Sequence, residues 1–313
     1  MRVNSPKIIV ITGPTATGKT TLGAALAKKA DGEVVSADSM QVYKLMNIGT
    51  AKPTAEEMLG VPHHMLDLVP PWENYSAARY VEDASRCIDD ILRRGKLPVL
   101  VGGTGLYIDS LLSGRDFIAR GSPELRAELN AEYDETGGTV MLRKLAGFDP
   151  EGAAKLHEND KKRIVRAFEA YYTAGKSKSR HDRETKSLPA RYDAVKYALN
   201  FSDREELYRR IDLRVDVMLA KGLMGEVRCL LEMGVPLDST AMQAIGYKEI
   251  AVAIRSGSDI AGAVEKIKME SRRYAKRQLT WLRRDETVRW LVWEKEPDIA
   301  GSIRIITNDI TGQ

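Results

Sequence analysis

The stretch Gly13-Pro14-Thr15-Ala16-Thr17-Gly18-Lys19-Thr20 matches GxxxxGK[ST]. It follows the short β-branched run 7–12, which reads as a buried parallel strand, and precedes Leu22, Ala25, Leu26 and Lys29 at helical spacing. A phosphate-binding loop requires this strand–turn–helix context. The glycines let the backbone curl until several N–H groups converge on one anion, and the helix N-terminus adds partial positive charge. Lys19 supplies a full charge, and the Thr20 hydroxyl can hold Mg²⁺. Gly13, Thr15, Ala16, Thr17, Gly18, Lys19, Thr20 and Thr21 are therefore candidates for a phosphate or diphosphate site. The motif does not say which molecule carries the phosphates.

Strand and helix signals alternate beyond the loop. Residues 33–36 form a second strand closed by Ala37-Asp38-Ser39, and residues 77–94 are helical and stopped by Gly95. Residues 98–101 form a third strand, followed by Gly102-Gly103-Thr104 and a helix through Leu112. This alternation implies an α/β fold, a P-loop NTPase-like parallel sheet flanked by helices. The pattern changes near residue 115. Ser122-Pro123-Glu124 and Asp149-Pro150-Glu151 start helices, residues 160–174 form a third, and no strand is evident from 117 to 175. A helical insertion is the expectation. Residues 176–191, polar and basic with Pro189, read as an exposed loop. Residues 192–201 return to the sheet, and Ser202 caps a long helix over 203–221 that Gly222 ends. Helices continue to about Arg284; 288–292 and 303–306 are strand-like. The expected division is a core of 1–115 and 192–313 around an insertion of 116–191.

In an open parallel sheet the ligand crevice lies at the carboxyl ends of the strands, so Thr15, Asp38 and Thr104 should face one crevice. Asp38 is there a candidate metal ligand or general base. His63, His64 and Asp67 lie between Pro62 and Pro70 and suit structural roles; Trp72 and Tyr75 suit packing. A net charge of only +4 permits a polyanionic partner without demanding one, so the distribution of charge matters more. Arg272, Arg273, Lys276, Arg277, Arg283 and Arg284 put six cations in thirteen residues with no acid between them. Tyr274, Gln278 and Trp281 interleave, which suits a phosphate backbone and an unstacked base. Residues 161–166 are a second basic patch. One of Arg209, Arg210 and Arg214 could reach the crevice to meet a diphosphate, and composition does not choose among them. Cys87 and Cys229 stand far apart, and the histidines show no metal-ligand spacing, so neither a disulfide framework nor zinc is expected. No segment has the length to span a bilayer and no leader is evident, so the cytoplasm is the expected compartment.

Together these segments resemble the tRNA dimethylallyltransferases, also called tRNA isopentenyltransferases, of the bacterial type. The resemblance runs in order through residues 13–20, Ser36-Ala-Asp-Ser-Met-Gln-Val-Tyr43, Ile48-Gly-Thr-Ala-Lys-Pro53 and Pro62-His-His-Met-Leu-Asp67. It continues through Val101-Gly-Gly-Thr-Gly-Leu-Tyr107, Ala241-Met-Gln-Ala-Ile-Gly-Tyr-Lys248 and Lys276-Arg-Gln-Leu-Thr-Trp-Leu-Arg283. The first motif is shared by many NTPases; the set is specific and covers nearly the whole chain.

The resemblance implies transfer of a dimethylallyl group from dimethylallyl diphosphate to N6 of the adenosine 3′ to the anticodon in tRNA, releasing pyrophosphate. It implies Mg²⁺ as cofactor and a monomer that grips the anticodon stem-loop. The P-loop, with Lys19, would then hold the donor's diphosphate instead of ATP. Asp38 matches the family's general base, Arg214 its pyrophosphate arginine and Thr15 a donor-binding threonine. Ser39, Met40 and Gln41, beside Asp38, would read nearby nucleotides, and Thr104 and Arg126 match tRNA-contacting positions. Lys162, Arg163, Ile164, Val165, Arg166, Gln243, Gly246, Tyr247, Lys248, Lys276, Arg277, Gln278, Trp281 and Arg283 would hold backbone and neighbouring bases. The stretch 176–187 matches no motif of the family.

Three other readings use the same loop. A small-molecule or nucleotide kinase has little need of the basic region 272–284. A relative that prenylates a free adenylate needs neither that region nor the insertion. An RNA-binding protein with an idle loop has no use for an intact Lys19, Thr20 and Asp38.

Overall fold

Alternate residues of the first strand, β1 (Lys7–Thr12), face opposite ways. Ile8 and Val10 enter one apolar cluster, while Ile9 and Ile11 enter another. A strand buried on both faces belongs in the middle of a helix-covered sheet, and the computed structural model, which describes residues 7–114, 116–119, 121–186 and 189–311, places it there. The chain divides into two compact units, 1–112 with 191–313, and 113–190. Arg115, an expected boundary position, lies outside the described residues.

In the larger unit β1 leads into α1 (Lys19–Lys29), β2 (Gly32–Ser36), the two-residue strand β3 (His63–His64), α2 (Ala77–Arg93), β4 (Leu97–Val101) and α3 (Gly105–Ser113). Ser76 caps α2 by accepting the Arg79 amide, and Tyr80, Ala84, Ile88 and Ile91 supply its buried stripe. The insertion follows, with α4 (Pro123–Thr136), α5 (Gly138–Ala146), α6 (Pro150–Ala153), α7 (Lys161–Ala174) and α8 (Lys178–Lys186). The chain then returns through β5 (Asp193–Phe201), α9 (Arg204–Ala220), α10 (Leu223–Glu232), α11 (Tyr247–Ser256), α12 (Ile260–Leu282), β6 (Arg289–Trp293) and α13 (Ile299–Thr311). The sheet order is β3-β2-β4-β1-β5-β6, and every pairing is parallel. The chain goes from β1 to one side and comes back on the other, so the carboxyl end of β1 lies at the switch of direction where α/β sheets bind ligands.

Four expectations are corrected. Residues 178–186 form a helix, not a loop: Lys178–Asp182 and Arg180–Glu184 pair at i,i+4, and Lys176 and Arg183 reach Glu184 and Glu151. Lys176, Lys178, Arg180 and Arg183 are thus neutralised within the insertion; Ser187 and Leu188 lie outside the described residues. Residues 303–306 belong to α13, because a short apolar run does not distinguish strand from helix. Asp203, not Ser202, caps α9, accepting the Glu205 amide. Trp72 is 56% exposed and does not pack inside, whereas Tyr75 does. His63 and His64 have structural partners, as expected: His63 Nδ1 meets the Val61 carbonyl and His64 the buried Glu33.

The insertion has its own core of Leu129, Met141, Leu145, Ile164, Val165 and Phe168. Ile164 and Val165 are therefore packing residues and not an RNA-facing surface. Arg126 and Arg166 both bind the Glu169 carboxylate, which is 1% exposed. Burial pushes the Glu169 carboxyl up, but hydrogen bonds from Arg166 and Arg126 overcome this and hold it below its ordinary value. Lys162 and Arg163 are the exposed pair of that helix turn.

Candidate functional site

The loop between β1 and α1 reaches positive φ at Gly13 (139°), Ala16 (66°) and Gly18 (79°), which turns successive amides inward. Gly18 precedes α1 without a side-chain cap and the first turn carries no acid, so the helix N-terminus stays open to an anion. Thr17 Oγ1 and Lys19 Nζ both donate to the Pro14 carbonyl, at 2.8 and 2.6 Å. Thr15, Ala16, Gly18, Lys19, Thr20 and Thr21 line a cavity of about 850 Å³. Gly13 and the buried Thr17 shape the loop from behind.

Asp38 faces the same cavity from the end of β2. Its Oδ1 accepts the Met40 amide at 2.8 Å, and Oδ2 has no hydrogen bond among the described residues. Ser39 donates its amide to Thr104 Oγ1 at 3.0 Å. Gln41 accepts from Ser36 Oγ at 3.0 Å and donates to the carbonyls of Thr50 and Ala51, both at 3.3 Å. The 38–41 turn, Thr104 and the phosphate loop are thus brought together.

The structure distinguishes the three arginines of α9. Arg209 and Arg210 pair with Glu206, and Arg210 also with Glu296. All three line the cavity, but among the described residues Arg214 has no ion pair or hydrogen bond. Burial, then the charge of Arg214, pulls Lys19 down to about 7, partly opposed by Asp38. Burial likewise lowers Arg214, with Asp38 and Glu57 acting against it. Two cations with too little negative charge between them mark a place built for an anion. Leu213, Val217, Met218, Ile48 and Leu66 add an apolar wall beside Arg214. Leu213 and Val217 are 52% and 43% exposed, an apolar pair four residues apart on a charged helix, which is the signal that could have found them.

Residues 47–57 close another side of the cavity and carry no sequence signal of how they are held. The Glu226 carboxylate accepts the amides of Asn47, Ile48 and Gly49 at 2.8–3.1 Å and the Tyr247 hydroxyl. Lys52 ties Tyr43 O, Asn47 and Asp67 together at 2.6–2.9 Å. Glu226→Ala orphans three amides and a phenol, so it is expected to cost about 3 kcal/mol in urea unfolding. An unchanged midpoint would show that the wall stands without it.

The remaining expected RNA contacts separate by exposure. Lys276, Arg277 and Arg283, with Arg284, are exposed and have no carboxylate partner among the described residues, while Arg272 and Arg273 pair with Asp212 and Glu270. Lys248 is exposed; Gln243 is exposed but donates to the Leu237 carbonyl. Gly246 and Tyr247 are buried. Trp281 lies against Gly105 and donates to Asp109 at 2.8 Å, and Gln278 points inward. Among the described residues no group of three or more His, Cys, Asp or Glu could hold a metal ion; Thr15, Thr20, Thr21, Ser36 and Asp38 are among the oxygen-bearing side chains that line the cavity.

Comparison with known proteins agrees with this geometry. The family model described as IPP transferase matches residues 41–285, and one described as isopentenyl transferase matches 6–69. The chain is 47% identical over 285 residues to a tRNA dimethylallyltransferase of Acetivibrio thermocellus, covering 91% of each. It is 47% identical over 309 residues to that of Desulforudis audaxviator, covering 97% of this chain and 98% of the relative. Among solved structures, the tRNA isopentenylpyrophosphate transferase of Bacillus halodurans superposes with a TM-score of 0.73 at 40% identity, covering 98% of this chain and 96% of that one. A eukaryotic dimethylallyltransferase acting on tRNA superposes with a TM-score of 0.84 at 32% identity, covering 99% and 80%.

Proposed function

Because this chain belongs to the tRNA dimethylallyltransferase family, we propose that its cavity moves a dimethylallyl group from dimethylallyl diphosphate to N6 of the adenosine 3′ to the anticodon in tRNA, releasing pyrophosphate. The observation that carries this is the unpaired Arg214 facing Lys19, with Asp38 across the same cavity. The amides from Ala16 onward, Lys19 and Arg214 receive the diphosphate. The apolar wall of Leu213, Val217 and Met218 takes the five-carbon chain, and Ser39, Met40, Gln41 and Thr104 border the base. The Thr20 hydroxyl, a hard oxygen at the phosphate loop, would hold Mg²⁺, which would neutralise the leaving charge.

The allylic C–O bond breaks as Lys19, Arg214 and the loop amides stabilise the departing pyrophosphate. The adenine amine forms the new N–C bond and gives its proton to Asp38 Oδ2. The target base leaves its stack, which costs a few kcal/mol recovered from contacts to the flipped base. No helix among the described residues is long and apolar enough to cross a membrane, and a tRNA substrate suits the cytoplasm.

Transfer of radiolabelled dimethylallyl from its diphosphate, with Mg²⁺, to unmodified tRNA and separately to AMP tests the reaction. Label in tRNA and not in AMP is expected; label in AMP alone would move the chain to free-nucleotide chemistry. Replacing Lys276, Arg277, Arg283 and Arg284 with Ala is expected to weaken tRNA binding. The slope of log K against log salt should fall by about 0.7–0.9 for each phosphate that is no longer neutralised. An unchanged slope would remove this face from the interface.

A further inference from the structure

Gln278 lies beside exposed Lys276 and Arg277 on α12 but is itself only 6% exposed. Its amide makes two bonds inward. Oε1 accepts the Thr15 amide at 3.1 Å, and Nε2 donates to the Gly103 carbonyl at 2.9 Å. Thr15 belongs to the phosphate loop, and Gly103 to the turn after β4. A Cβ on Gly103 would fall 2.2 Å from Nε2, so this turn passes the amide closely only as glycine. Tyr274, one helical turn earlier on the same face, lines the cavity beside Gln278, and Gly103 leads directly into Thr104. Thr104 Oγ1 in turn accepts the Ser39 amide beside Asp38. One helix thus ties the loop at the diphosphate to the turn at the acceptor base.

We propose that Gln278 is a positioning residue of the transfer reaction, whose amide holds the Thr15 segment of the phosphate loop against the Gly103 turn, and that it is not part of the exposed tRNA-binding face of Lys276 and Arg277. This rests on the prenyl-transfer reading above. The residue type matters. An amide accepts and donates at once, whereas a carboxylate sets a negative oxygen against the Gly103 carbonyl. Leucine leaves the Thr15 amide and the Gly103 carbonyl without partners. Because the Thr15 N–H points at Gln278, the amides that meet the phosphates begin at Ala16, and Gln278 determines where that cradle starts.

The test compares the whole enzyme with its Gln278→Glu and Gln278→Leu variants, with Lys276→Ala as a tRNA-side control. Calorimetric binding of inorganic pyrophosphate with Mg²⁺ needs no turnover; steady-state transfer is measured with donor and tRNA varied separately. At pH 8 both variants are expected to lose about 10²-fold in kcat/KM for the donor. They should bind pyrophosphate more weakly, with tRNA affinity and its salt slope as in the unmodified enzyme. As pH falls toward the carboxyl range, Gln278→Glu should recover relative to the unmodified enzyme, because a protonated carboxyl again donates and accepts. Gln278→Leu should not. Weaker tRNA binding with donor parameters intact would overturn the proposal, and so would unchanged pyrophosphate binding in both variants. If either variant fails to fold, Gln278→Asn, which keeps the amide but draws it back by one methylene from Thr15 and Gly103, decides the matter: a donor-side loss supports the proposal and no loss overturns it. If the variants weaken pyrophosphate binding but the unmodified enzyme prenylates no tRNA, the reading of the reaction fails and the clamp stands.

Discussion

Asp38→Ala is expected to lower kcat for prenyl transfer by about 10²–10⁴-fold, the range for losing a general base, while tRNA still binds. The amine must shed a proton as it attacks, and Oδ2 is the carboxylate oxygen that the fold leaves facing the cavity. Oδ1 has a second task, since it accepts the Met40 amide and shapes the 38–41 turn. Alanine removes both functions, so Asp38→Asn is the sharper variant: its carbonyl can still accept from Met40, but it cannot take a proton. If the base reading holds, Asn and Ala lose kcat alike. An Asn variant close to full activity would assign Asp38 to the turn alone, and an equal loss of tRNA binding and turnover in both would also argue against a base.

Diphosphate binding should take up a proton at Lys19 once the pH exceeds about 7, the value to which burial and Arg214 bring this group. The anion favours the ammonium form, so binding raises the Lys19 pKa. Affinity is therefore full below about 7 and falls as pH rises above it, by up to about tenfold per unit. The measurement is calorimetry at pH 8–9 in buffers of different ionisation heat, where the donor's own phosphate ionisation, near 6, is complete. Absence of uptake there would sink the assignment. Lys19→Met should abolish the uptake and cost about 10²–10³-fold in kcat/KM for the donor, the scale for one preorganised charge-stabilising donor. The same depressed pKa burdens the empty fold: the cost of burying this charge is full below about 7 and is relieved as pH rises toward the ordinary 10.5. Lys19→Met should accordingly melt higher at neutral pH even as it loses activity.

Features that depend on near neighbours along the chain were legible in the sequence. The strand, curled turn and helix at residues 7–29 follow from a β-branched run, glycines at fixed offsets and an apolar stripe, all within one supersecondary unit. The Ser122 and Asp149 caps are equally local, as is the alternation of strand and helix that demands a parallel sheet. The placing of Asp38 at a strand end followed from that sheet.

Matters that turn on where a side chain points were settled by the packed fold. Arg209, Arg210 and Arg214 read alike and all three line the cavity, but Glu206 and Glu296 neutralise the first two and leave the third unpaired. Gln278, Trp281, Tyr247, Ile164 and Val165 sit in basic or motif-bearing segments, yet each turns inward, because its partner lies on another element. Residues 178–186 and 303–306 carried composition without a decisive period, and ion pairs and helix packing resolved them. Thr15 and Gln278 are 263 residues apart in the chain and 3.1 Å apart in the fold. No local pattern encodes such a pair, because a hydrogen bond depends on distance and direction in space and not on separation along the chain.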